Sequence, residues 1–349
     1  MSQENASPAE SAVAPETNEP ANDAVASSWP RRLLRDLLTW PSIGAAIACI
    51  VTFLVFAIWA PNFVSIIAMQ AALTIAAELG IVAIGVTLLM IGGEFDLSVG
   101  SVLGLAALTV PLLIQNGIAP ILAILIGLAV AAVIGIINGL LVTYTMAPSL
   151  IVTLGGLMFY RGIVFALTGG FPVEVDTKTS AFLFFSADWN GWNASIAWLF
   201  GLAAILSFVL LRTPFGNWIF AVGGAPEAAR KTGIPARRVT IMLFVLTALL
   251  AALAGMIEMT RFASVDALRG QGIELSAIAA VVVGGTSLRG GSGSILGTVF
   301  GVLTFSMIQV GLQLALVPGY FYNALVGLVL IVAVLLNHYT GRALRRWQV

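Results

Sequence analysis

Histidine and cysteine occur once each, as His338 and Cys49, so neither a disulfide framework nor a Cys/His metal site can be assembled. Cys49 sits in an apolar run and reads as an inert packing residue. Lysine occurs only as Lys178 and Lys231, and neither follows a glycine, so the Gly-Lys-Ser/Thr phosphate loop is missing. Any ATP hydrolysis therefore falls to another polypeptide. Charge is scarce too: 9% of the 349 residues are charged, against roughly 25% in soluble domains. The formal net charge is zero, which leaves no electrostatic case for nucleic acid. With no catalytic residues, metal ligands or cofactor motif in view, the expectation is a protein that is not an enzyme and needs no cofactor.

What is present is apolar. The chain is 59% hydrophobic, and its mean hydropathy is +1.03. A spanning helix needs ~20 mostly apolar residues, because in lipid every backbone polar group must be satisfied inside its own segment. The pattern predicts an all-α polytopic membrane protein with about ten spans: 43–60, 64–91, 97–114, 119–143, 148–168, 193–212, 239–259, 272–286, 293–313 and 320–337. The eighth is short and glycine-rich, and the segments near 92–100 and 284–293 read equally as broken or re-entrant helices. Residues 1–30, rich in Ala, Ser, Pro, Asn and Glu, read as a disordered cytoplasmic tail before a transmembrane domain at 31–349. That tail has neither the basic start nor the apolar middle of a cleavable signal.

Basic residues in short loops stay in the cytoplasm. Arg31, Arg32 and Arg35 precede the first span, Arg212, Arg230, Lys231, Arg237 and Arg238 crowd the 212–238 loop, and Arg342, Arg345 and Arg346 follow the last span. An even number of spans puts all three clusters and both termini inside, and leaves the acidic 169–192 segment outside. Arg261 and Arg269 break this pattern, so either they fold back into the protein or one span is misdrawn. Trp40 and Trp59 flank the first span as interfacial anchors.

Glu78 is the most deeply placed carboxylate, with Asp96, Arg161 and Glu258 nearer span ends. Intramembrane ionisable residues are functional candidates; here Glu78, Asp96, Ser98, Arg161, Gly284 and Gly285 are candidates for the translocation pathway or its gating. Asp96 is expected to organise a turn with Ser98, and Arg161 to be paired, with Glu174 and Asp176 as candidate partners, or to sit at the outer interface. A proton-coupled transporter is the alternative engine, with few titratable groups to serve it. An internal echo relates Gly92–Gly104 to Gly284–Gly297; it marks either an internal repeat, as transporters often have, or independent use of glycine for close helix packing. In the 213–238 loop, Pro226 and Glu227 suit a helix start, Arg230 and Lys231 its end, and Gly233 its stop. A short rigid helix there would suit docking to a partner, though an ordinary connector has the same chemistry.

Four ordered motifs carry a resemblance: Val86–Gly100 with its Asp96-Leu97-Ser98-Val99-Gly100 element, Ser149–Gly156 with Arg161-Gly162, the 221–234 loop, and the 284–297 glycine motif. From about residue 40 to 340 the chain resembles the permease family of bacterial ribose, xylose and arabinose ABC importers. It departs in having Glu94-Phe95 before the aspartate, Ala225 where the family commonly has Asn, and Thr232 where it has Ser. The resemblance implies a permease homodimer in the lipid of the bacterial inner membrane. It further implies a cytoplasmic ABC ATPase docking through Gly223, Gly224, Glu227, Ala228, Ala229, Arg230 and Gly233. A periplasmic or lipid-anchored binding protein would deliver the sugar, and the permease pathway would have few hydrogen-bonding groups.

Overall fold

The computed structural model describes residues 42–177 and 180–332. The expected tail at 1–30, the basic clusters at 31–35 and 342–346, Trp40, Lys178, His338 and the end of the last span lie outside the described residues. The described chain is helical almost throughout. In order it forms α1 Ile43–Trp59, α2 Ile66–Ile91, α3 Val99–Gln115, α4 Pro120–Thr145, α5 Ser149–Thr168, α6 Ser180–Ser186, α7 Ala194–Arg212, α8 Pro214–Gly224, α9 Pro226–Lys231, α10 Ala236–Phe262, α11 Ile273–Val283 and α12 Ile295–Leu314, and then α13 Tyr320–Val332. Among the described residues, α2, α4, α5, α7, α10 and α12 are long and apolar enough to cross a membrane, while α1, α3, α11 and α13 are shorter apolar helices.

Burial sorts these helices. Of the most apolar window of α2, 94% is buried, against 17% for α5, so α2 is the central post and α5 an outer stave. Packed around α2 are α7, α10, α11 and α12, and α10 in turn packs along α3 and α4. Apolar tails of lipid offer no hydrophobic drive for helix pairing, so close packing of small residues has to supply it. On α4 that role falls to Gly135 and Gly139: a Cβ at Gly135 would stand 2.7 Å from the Cα of Val245, and one at Gly139 2.9 Å from the Cα of Ile241 on α10.

Three departures from the sequence expectation matter. The eighth span, expected at 272–286, is the 11-residue helix α11, which at 1.5 Å per residue is ~16 Å long, about half a hydrocarbon core. The 213–238 loop holds two helices, α8 and α9, rather than one. Short strands interrupt the all-helical expectation: β1 Val173–Glu174 pairs with β4 Ser264–Val265, and β2 Asp188–Trp189 with β3 Trp192–Asn193. The β1–β4 pair ties the 169–192 segment to the turn that follows α10.

Candidate functional site

The break between α2 and α3 is built from glycine and paired polar groups. Gly92 ends α2, and Gly93 reverses the chain at φ +88; its N–H bonds Met90 O at 2.9 Å, and that of Glu94 reaches Leu89 O at 3.1 Å. Only glycine adopts this left-handed geometry without strain. The 92–98 segment then turns back into the protein against α4 and α5. The Phe95 N–H donates to Ser149 Oγ at 3.1 Å, and that of Leu97 to Thr153 Oγ1 at 3.1 Å. Asp96 is buried, and its Oδ1 accepts from Ser98 N at 2.8 Å and Ser98 Oγ at 2.6 Å. Ser98 Oγ also accepts from Asn138 Nδ2 at 3.0 Å, and Tyr160 Oη donates to Asn138 Oδ1 at 2.8 Å. Asn138 sits about two turns inside α4, ~10 Å from its end, so this network fixes the start of α3 well below the protein surface. An oxygen that accepts two bonds survives amidation, whereas an alkyl side chain strands both donors at a cost of about 1–3 kcal/mol each. Asp96→Asn should therefore retain folded protein and transport, and Asp96→Leu should lower the thermal-shift midpoint and the membrane yield sharply. Normal assembly of the Asn variant with no transport would instead assign Asp96 an ionic role.

The end of α11 repeats that geometry. Gly284 and Gly285 (φ +89) close it as Gly92 and Gly93 close α2, with Gly285 N–H to Val282 O at 2.9 Å and Thr286 N–H to Val281 O at 3.1 Å. Ser294 Oγ then caps α12, accepting from Gly297 N at 2.9 Å. Both breaks converge on α8: the Gly291 N–H donates to Ile91 O at 2.8 Å, and a Cβ at Gly290 would lie 2.7 Å from Gly223 O and 2.8 Å from the Cα of Gly93. At Gly223 a Cβ would overlap Ile91 O outright. Backbone thus meets backbone at the point where the two helix breaks touch the 213–238 loop. Within that loop the expected cap chemistry is in place: Pro226 occupies the first turn of α9, Glu227 stands beside it, Arg230 and Lys231 are in the last turn, and Gly233 stops it at φ +85. Ala228 O accepts from Thr232 N at 3.1 Å, Ala229 is buried, and open space surrounds Gly233. Gly224 has no left-handed backbone; the sterically locked position is Gly223, its neighbour.

At the other end of α10, ~36 Å away by helix rise, lies the charged cluster. Arg261 Nε is 2.7 Å from Glu78 Oε1, and Arg261 Nη2 donates to Glu78 Oε2 at 2.8 Å, a two-point guanidinium–carboxylate pair. Arg269 pairs with Asp266 at 2.9 Å. Both guanidinium carbons lie over the Phe262 ring, at 4.2 and 4.4 Å from its centre. The two arginines that broke the charge pattern therefore fold back onto the protein. Arg161 does so by another route than the carboxylates expected for it: Nη1 donates to Ala267 O at 3.0 Å and Arg269 O at 2.6 Å. Its acceptors are main-chain carbonyls of the 263–272 turn, which reaches inward until Gly270 meets Gly100 at the start of α3. Sequence reasoning placed Glu78 and Arg261 in separate segments and had no signal for their pairing. Glu78, Asp96 and the 223–233 loop occupy three distinct places; the structure joins Gly284 and Gly285 to the loop through Gly290 and Gly291, and Arg161 to the turn after Arg261.

A multi-pass helical membrane protein with glycine-broken helices around a central post belongs to the transport class. Residues 68–334 match the family described as the branched-chain amino acid transport system permease component, and the chain belongs to that family. Among its relatives, the ribose import permease protein of Bacillus subtilis is 36% identical over 296 residues, covering 84% of this chain and 92% of that one. A probable ABC transporter permease protein of Escherichia coli K12 is 36% identical over 295 residues, 84% and 89% of the two chains. The autoinducer 2 import system permease protein of Yersinia pseudotuberculosis is 34% identical over 293 residues, 82% of each. No solved structure matches the chain.

Proposed function

We propose that this chain is the membrane-spanning permease subunit of an ATP-binding-cassette importer for a monosaccharide. An extracytoplasmic binding protein hands over the sugar, and a separate cytoplasmic ATPase supplies the energy at α8 and α9. The single observation that carries the coupling role is the glycine junction, where Gly223 contacts both helix breaks at once; a push on the loop meets α2, α11 and α12 with no compliant side chain between. The sugar class rests on the ribose import relatives. On this reading the six long helices and four shorter ones make ten spans, the echo at Gly92 and Gly284 is an internal repeat, the termini are cytoplasmic and the working unit is a dimer in the inner membrane. A proton-coupled carrier fits less well, since Glu78, its best relay carboxylate, is clamped by Arg261.

The test is copurification of the cognate ATPase with the permease. Glu227 stands exposed in the first turn of α9, so Glu227→Lys reverses a charge at the docking face without touching the core and places a cation at the helix's positive end. Copurified ATPase should fall several-fold, and sugar uptake with it, at unchanged permease yield. Undiminished ATPase binding and uptake would show that α9 is an ordinary connector.

A further inference from the structure

A cavity of about 550 Å³ opens beside the Glu78–Arg261 pair, within the size range of small-ligand sites. Its floor is the break at Gly270–Ile273, where α11 begins as a half-length helix, and its walls are α2, the end of α10, α12 and α13. Substrate sites of transporters form where such discontinuous helices start, near mid-membrane. The lining chemistry is specific. Gln309 and Gln313 stand one turn apart on α12, with Tyr322 and Asn323 on α13 facing the same space. Among the described residues, the side-chain amides of Gln309, Gln313 and Asn323 make no hydrogen bond within the chain. Each amide both donates and accepts, as does each hydroxyl of a sugar. An anionic ligand is poorly matched. Arg261 is already held by Glu78, and the positive end of α11 is already met by Glu274, whose Oε1 accepts from Gly272 N at 3.2 Å. Ile75, Leu79 and Leu312 supply apolar wall for C–H faces.

We propose that this cavity is a transit site for a neutral polyhydroxylated ligand, an aldose or a polyol, held by Gln309, Gln313 and Asn323 beside the Glu78–Arg261 pair. It rests on the reading of the chain as a sugar importer and reverses the expectation of a pathway poor in hydrogen-bonding groups. Below it, α2 from Leu79 to Ile91 is buried without interruption, so the site is closed toward the glycine junction. A ligand would wait there until the ATPase end moves.

The experiment expresses the permease with its ATPase and binding protein in cells lacking other pentose uptake, and measures entry of labelled D-ribose, D-xylose, L-arabinose and ribitol. Gln309→Leu/Gln313→Leu removes two amides at once, and loss of two hydrogen bonds predicts uptake roughly tenfold lower, with permease yield and binding-protein-stimulated ATP hydrolysis unchanged. Uptake within twofold of the parent at equal yield overturns the transit site and leaves the importer reading intact. Failure of the parent to import any of the four, while its ATPase assembles, overturns the sugar reading and the site with it. If the double variant does not reach the membrane, Gln313→Cys in a Cys49→Ser chain decides. Excess transported sugar should slow its alkylation in the purified complex several-fold, and an unchanged alkylation rate overturns the site.

Discussion

Gly223→Val should leave the permease in the membrane but lower sugar uptake by about a hundredfold, whereas Gly224→Ala and Gly233→Ala should have smaller effects. At Gly223 any side chain overlaps the carbonyl of Ile91, and the backbone nitrogen of Gly291 stands 2.9 Å from where the Cβ would be. The obstacles are backbone, so no rotamer relieves them, and overpacking of this kind costs about 1–3 kcal/mol, enough to shift a two-state equilibrium by up to about a hundredfold. The chain has to part α8 from the α2 and α11 breaks, and α8 then has no fixed contact through which to push them. ATP hydrolysis by the bound ATPase should continue while transport stops. Gly233→Ala strains only its own backbone, at φ +85 with open space around it. Equal uptake by Gly223→Val and the parent would remove the junction from the mechanism.

Arg161→Ala is the most damaging change to stability expected at the opposite end. Its guanidinium holds the carbonyls of Ala267 and Arg269, and Gly104 lets it lie close to α3, with Nη1 3.5 Å from where a Cβ would stand. Removing it leaves two acceptors stranded away from water, at about 1–3 kcal/mol each, and frees the turn that positions Arg269 and the cavity floor. The measured result should be a large drop in the thermal-shift midpoint and in membrane yield. Both bonds come from Nη1 alone, so Arg161→Lys, whose ammonium carries three donors, should recover part of it. A normal melting midpoint for Arg161→Ala would show that the turn is held by the β1–β4 pair alone.

Much of this was legible along the chain. Runs of apolar residues place α1 to α5, α7, α10 and α12 within a few residues, because lipid forces every spanning backbone to satisfy itself locally. Gly92-Gly93 and Gly284-Gly285 announce helix ends, and Pro226, Glu227 and Gly233 announce α9, since caps and left-handed stops are local chemistry. Asp96 beside Ser98 is legible for the same reason. Other features were not. That α11 is short and bounded by glycine was legible, but its helix of 11 residues, ending at Val283 rather than at 286, is set by the backbone turns at Gly272 and Gly285. The acceptors of Arg161 are carbonyls, which every residue carries, so no side-chain pattern could point to Ala267 and Arg269. Arg261 and Arg269 were visible only as exceptions to the charge rule.

Composition, hydropathy and local glycine chemistry therefore determined, by themselves, a polytopic helical membrane protein, the positions of most of its helices and the two broken segments, because each of these depends on interactions within a few residues. Tertiary structure alone decided that Gly93, Gly223 and Gly290 share one point, that Glu78 is clamped by Arg261, and that Gln309, Gln313 and Asn323 face a single cavity. Those pairings join residues far apart in the chain, and the packing of helices around α2 sets them rather than any property the residues carry on their own.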